Sequence, residues 1–74
     1  MEISKEGTIE YIENMYSLGI NYLRNHNNVE LQKLLVDLEL LEDNIRICMD
    51  MDMLESHINV LNDLVDKIEG IINE

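Results

Sequence analysis

No proline interrupts this 74-residue chain, and apolar side chains recur along it at every third or fourth position. That period belongs to amphipathic helices, and a proline-free chain can sustain it over long stretches. Three blocks carry the pattern. Ile9, Ile12, Tyr16, Gly19 and Leu23 follow one another at 3,4,3,4 spacing. Leu31, Leu34, Leu38, Leu41, Ile45 and Cys48 then hold a strict heptad phase, and Leu54, Ile58, Leu61, Val65, Ile68 and Ile72 run in 4,3,4,3,4 order.

The boundaries come from polar residues suited to helix ends. Thr8 can cap the first helix, with Glu10 placed favourably at its positive end; Ser4 is the alternative cap. The first pattern stops in Asn25-His26-Asn27-Asn28, residues that tolerate turns. Asn27 or Asn28 then caps the second helix, Asn27 standing at capping-box spacing from Glu30. The next boundary has neither glycine nor proline, only Met49-Asp50-Met51-Asp52-Met53. Asp52 and Glu55 have capping-box spacing there and the heptad phase slips, which favours a break over a fused long helix. Gly70 either frays the last turn or admits another backbone. The sequence therefore predicts an all-α fold: one helical domain over residues 1–74, an antiparallel three-helix bundle with helices at 8–25, 29–49 and 53–72. Fusion of the second and third helices is the alternative.

Composition narrows the function classes. Sixteen acids against five bases leave a net charge of −11, which argues against direct binding to nucleic acid or an anionic membrane. Eleven leucines and ten isoleucines supply enough core material to exclude a disordered chain. One cysteine, Cys48, forbids an internal disulfide. No apolar run approaches the roughly 18 residues of a membrane span, and Met1-Glu2-Ile3-Ser4-Lys5-Glu6 lacks a basic-then-apolar leader pattern. A cytoplasmic protein with a reduced thiol is the expectation.

Helical wheels drawn at about 100° per residue locate the surfaces left over. The first helix carries a second apolar stripe of Tyr11, Met15, Leu18 and Tyr22. Residues Val29, Val36, Leu40 and Ile47 lie almost opposite the core stripe of the second helix. A helix in a trio touches two neighbours, so one wide arc is ordinary, whereas two opposed arcs leave apolar surface wet. Tyr11, Met15, Leu18, Tyr22, Val36, Leu40 and Ile47 are therefore the expected apolar contacts with a partner or a second copy. The third helix shows an outer stripe of Glu55, Asn59, Asn62, Asp66, Glu69 and Asn73, with Asp63 beside it and only Lys67 near. Glu55, Asp63, Asp66 and Glu69 are the expected acidic contacts, able to meet a basic groove as phosphates do.

Catalytic and metal chemistry find little support. Asp50-Met51-Asp52 followed by Glu55 does not make a calcium loop, since the sixth and twelfth positions from Asp50 are Glu55 and Leu61. Cys48, Met49, Met51, Met53 and His57 form a soft-ligand cluster able to hold copper(I), but thioethers more often fill gaps at a turn. Neither His26 nor His57 follows a glutamate by three residues, as a di-iron bundle requires; His26 reads as a solvated loop residue and His57 as a core-edge one. No glycine-rich phosphate loop and no nucleophile with a base are present, so no catalytic residue, cofactor or metal is expected.

Three non-enzymatic functions remain. The favoured one is an inhibitor or regulator that masks a basic, nucleic-acid-binding site on another protein. In size and charge the chain is similar to the small acidic proteins by which phages and mobile elements disarm host defences. A second is an escort that sequesters an amphipathic client segment, resembling secretion chaperones in being short, acidic and helical. The third is a structural homo-oligomer such as a homodimer.

Overall fold

The computed structural model describes residues 4–73. Met1-Glu2-Ile3, weighed above against a leader, and Glu74 lie outside them. Three helices follow in order: α1 (Lys5–Asn25), α2 (Val29–Ile47) and α3 (Met51–Ile72), with no strand among the described residues. They span 21, 19 and 22 residues, so each is about 30 Å long at 1.5 Å per residue. The longest dimension of the molecule is 38 Å, which fits such rods only side by side. Three-residue connections at 26–28 and 48–50 reverse the chain twice, giving the expected up-down-up bundle.

Each helix opens on the same device. An extended residue turns a side-chain oxygen back onto the backbone N–H three positions on: Gly7 N–H donates to Ser4 Oγ at 3.0 Å, Leu31 N–H to Asn28 Oδ1 at 2.9 Å, and Met53 N–H to Asp50 Oδ1 at 2.8 Å. Two of these caps correct the sequence reading. Helix α1 starts at Lys5 and not at Thr8, because Ser4 takes the cap and the Thr8 hydroxyl donates to the Ser4 carbonyl at 2.7 Å. Asp50, not Asp52, caps α3, which therefore starts at Met51 and not at residue 53.

The fused-helix alternative does not occur. Helix α2 stops at Ile47, two residues before the expected end, because Cys48 adopts extended backbone (φ −65°, ψ 131°). Cys48 nevertheless keeps its heptad place in the core, with its thiol hydrogen-bonded to the Asp50 carbonyl at 3.3 Å. From across the bundle, the Lys5 ammonium donates to the Cys48 carbonyl at 2.9 Å, tying the start of α1 to this turn.

The buried side chains form one continuous cluster. All six heptad residues are in it, five from α2 and Cys48 from the turn after it, joined by Leu35; α3 contributes Leu54, Leu61, Leu64, Val65, Ile68 and Ile71. Ile58 and Ile72, expected on the core stripe of α3, sit at its edge, half-buried. The core of α1 is turned further from expectation. Ile12, Met15 and Gly19 face inward, while Ile9, Tyr16 and Leu23 flank them half-buried. Because α1 meets both other helices, what is buried is the middle of its whole apolar arc and not the middle of one stripe.

The two glycines of the helix interiors differ. A methyl group on Gly19 would lie 2.6 Å from Leu35 Cδ2, so here glycine lets α1 and α2 approach closely. At Gly70 nothing lies within 4 Å of that position, and no backbone uses the opening.

Candidate functional site

The helical period decides which side chains stay outside this core, and on α2 it leaves an unusual surplus. Val29, Val36, Leu40 and Ile47 are 60%, 56%, 58% and 75% exposed. At 100° per residue they share one line, opposite Leu38 and Ile45, which are wholly buried. The line runs about 27 Å from Val29 to Ile47 at 1.5 Å per residue. The three apolar contacts expected on α2 are thus all on the surface and in register with one another.

The stripe expected on α1 is not assembled. Met15 is buried, 5% exposed, and belongs to the core. Tyr22 is half-buried and packs against the cluster, its ring stacked on His26 with centroids 4.4 Å apart. Tyr11 and Leu18 alone remain exposed. The rotation of α1 toward Met15 accounts for both losses, since the inner half of the stripe is drawn beneath the neighbouring helices. His26, expected to be merely solvated, closes α1 by donating its backbone N–H to the Tyr22 carbonyl at 2.9 Å.

Glu55, Asp63, Asp66 and Glu69 are all exposed on α3, as the wheel requires. Among the described residues the ion pairs are those of Arg46, to Glu13 at 3.3 Å and to Glu42 at 3.6 Å. None reaches α3. Its last turn contains no basic residue, so no cation compensates the C-terminal end of the helix dipole either.

A second acidic surface lies between α1 and α2. Ile12, Glu13, Tyr16, Ser17, Glu39, Glu42 and Asp43 line an open cleft of about 420 Å³. Ile12 gives it an apolar lining residue among four carboxylates, and Arg46 at its end neutralises only part of that charge. The Tyr16 hydroxyl is held protonated above its ordinary value of 10.0, chiefly by its hydrogen bond to Glu39, then by partial desolvation and the carboxylate's charge. A cleft of this kind accepts a cationic side chain with an aliphatic stem, an arginine or lysine. The wheel of a single helix does not reveal it; the Glu42–Arg46 spacing of four residues is the one sign along the chain.

Of the soft-ligand cluster, Cys48, Met49 and Met51 line one open hollow with Lys5, Asp50 and Leu54. The Cys48 thiol points into the core, while Met49, Met51 and Met53 stand on the surface, Met49 at 95% exposure. These thioethers therefore fill no gap at the turn. Among the described residues no three of His, Cys, Asp and Glu converge as metal ligands, and no helix is long and apolar enough to cross a membrane. Comparison with protein-family models, with curated proteins and with solved structures gave no match.

Proposed function

We propose that this chain is a non-enzymatic binding module that docks its carboxylates on a basic surface of another protein and masks it. In that role it acts as an inhibitor or regulator, and a nucleic-acid-binding site is the natural target because such sites are built to accept rows of negative charge. The reading extends to the anti-defence proteins of phages and mobile elements, which work in the cytoplasm, where a single free thiol such as Cys48 stays reduced.

The observation that carries the proposal is the outer face of α3. Glu55, Asp63, Asp66 and Glu69 are exposed and met by no ion pair among the described residues. With a net charge of −11 behind them, they set a field that accelerates encounter with a cationic partner. The cleft between α1 and α2 adds a place where one basic side chain of that partner can be enclosed.

Affinity capture from the native host tests the proposal, with the chain compared with a variant carrying Asp63→Asn, Asp66→Asn and Glu69→Gln. The captured protein should be lost from the variant and released when salt rises from about 0.1 to about 0.5 M, since exposed charges are then screened. Adding the chain should also displace nucleic acid from the captured protein. Capture that survives both the salt and the triple substitution would refute the reading and favour an escort binding through apolar contact.

A further inference from the structure

The exposed line on α2 is complementary to itself. Read with the two polar positions that complete it, it runs Val29, Lys33, Val36, Leu40, Asp43, Ile47, at spacing 4,3,4,3,4. That spacing is identical in both directions. An antiparallel pair of heptad helices places the a position of one opposite the d position of the other. A two-fold axis level with Leu38 then sets Val29 against Ile47, Lys33 against Asp43 and Val36 against Leu40, and repeats each pair on the other side. Every apolar residue meets an apolar residue, and the one base meets the one acid.

We infer that a second copy of this chain covers this line, forming a two-fold dimer through antiparallel α2 helices. A two-fold interface demands a surface that matches itself after rotation, and this one does so in both hydrophobicity and charge. Lys33 sharpens the assignment. It is one of only five bases in the chain, and it stands in the middle of the apolar line, where a basic partner would be repelled and Asp43 of a second copy is attracted. The line's four apolar residues are exposed, opposite the core side of α2, and α1 comes nearest to the line at Asp43, which shares a cleft with Ile12, Glu13 and Tyr16. The outer face of α3, which carries the basic-partner reading, stays free in the dimer, whereas the cleft between α1 and α2 shares Glu39 and Asp43 with the dimer interface.

The flanks of the same register oppose association. Asp37 faces its own copy on one side of the axis and Glu39 faces its own copy on the other, each a like-charge pair. Each copy also carries a net charge of −11, and this repulsion outweighs the two Lys33–Asp43 attractions, so added salt tightens the dimer, opposite to its effect on capture of a basic protein.

Sedimentation equilibrium of the full chain tests the interface. The wild type should dimerise, and more tightly when salt rises from about 0.1 to about 0.5 M. Leu40→Glu should weaken association about a hundredfold while helical circular dichroism is kept, Leu40 being outside the core. Should that variant lose helix, Val36→Asn reads the same contact. Lys33→Glu should weaken it about tenfold, and Lys33→Glu with Asp43→Lys should restore it to within about twofold, because the swapped pair attracts again. A chain that stays monomeric at every concentration overturns the inference. So does a dimer indifferent to Leu40→Glu, or a double charge swap without rescue.

Discussion

Replacing Gly19 by alanine sets two effects of known size against each other. In a helix interior alanine is favoured over glycine by about 1 kcal/mol. Against this, the added methyl would lie 2.6 Å from Leu35 Cδ2, 2.9 Å from Cδ1 and 3.2 Å from Cγ. Both methyls and the branch carbon of Leu35 are involved, so a change of rotamer alone does not clear the clash. Leu35 is itself buried within the core cluster and has little space to move into. Overpacking of this kind costs roughly 1–3 kcal/mol. The balance is a net loss of about 1 kcal/mol, which for a domain of this size lowers Tm by about 4–8 °C. Gly70→Ala is the matched control: its methyl meets nothing within 4 Å. It should stabilise by about half a kcal/mol, the full propensity gain being reduced in a fraying last turn. Thermal and urea unfolding followed by helical circular dichroism measure both. On a Leu35→Ala background the clash is gone and Gly19→Ala should turn stabilising, a non-additivity expected only of residues in contact. If Gly19→Ala raised Tm in the wild-type background as Gly70→Ala does, the close approach of α1 to α2 would be refuted.

The helix caps and Tyr16 yield two further predictions. Asp50→Ala should cost about 1 kcal/mol in the same unfolding assay and Asp52→Ala only a few tenths, since Asp50 alone accepts the Met53 N–H; equal losses would contradict the α3 boundary. Tyr16, whose hydroxyl is held protonated by Glu39, binds its proton more tightly folded than unfolded. The stability it contributes is present below the ordinary tyrosine pKa and is lost as pH rises through the higher folded value. A phenolate absorbance titration should find one of the three tyrosines ionising late, and both Tyr16→Phe and Glu39→Ala should remove that late component.

Much of this architecture is legible in the chain because a helix has one period and a core one inside. The five α2 residues in heptad phase are buried, as is Cys48 just beyond the helix, and the four that stand opposite them are exposed. Rotation of a helix about its own axis is harder to read. Helix α1 carries two apolar stripes, and which is buried depends on where its two neighbours sit; Met15 went to the core for that reason. The break before α3 was weakly marked because it uses neither glycine nor proline, only an extended cysteine and an aspartate oxygen placed to receive one N–H. Contacts between edges of different helices leave still less trace. The Lys5–Cys48 hydrogen bond spans 43 positions, and the cleft of Glu13, Tyr16, Glu39, Glu42 and Asp43 exists only once α1 lies beside α2. The self-matching order on α2 is in the sequence, but it acquires meaning only when Lys33 and Asp43 are known to lie on the outer side.

Disulfide trapping measures the pairing of α2 with a second copy most directly. In a Cys48→Ala background, Asp37→Cys places a thiol one residue from the level of the two-fold axis, so two such thiols differ in height by only about 3 Å at 1.5 Å per residue. Gln32→Cys places it six residues from the axis, so two such thiols stand about 18 Å apart at 1.5 Å per residue. Mild oxidation should convert the first variant to a covalent dimer and leave the second as single chains. Equal trapping of both, or of neither, would contradict the antiparallel register.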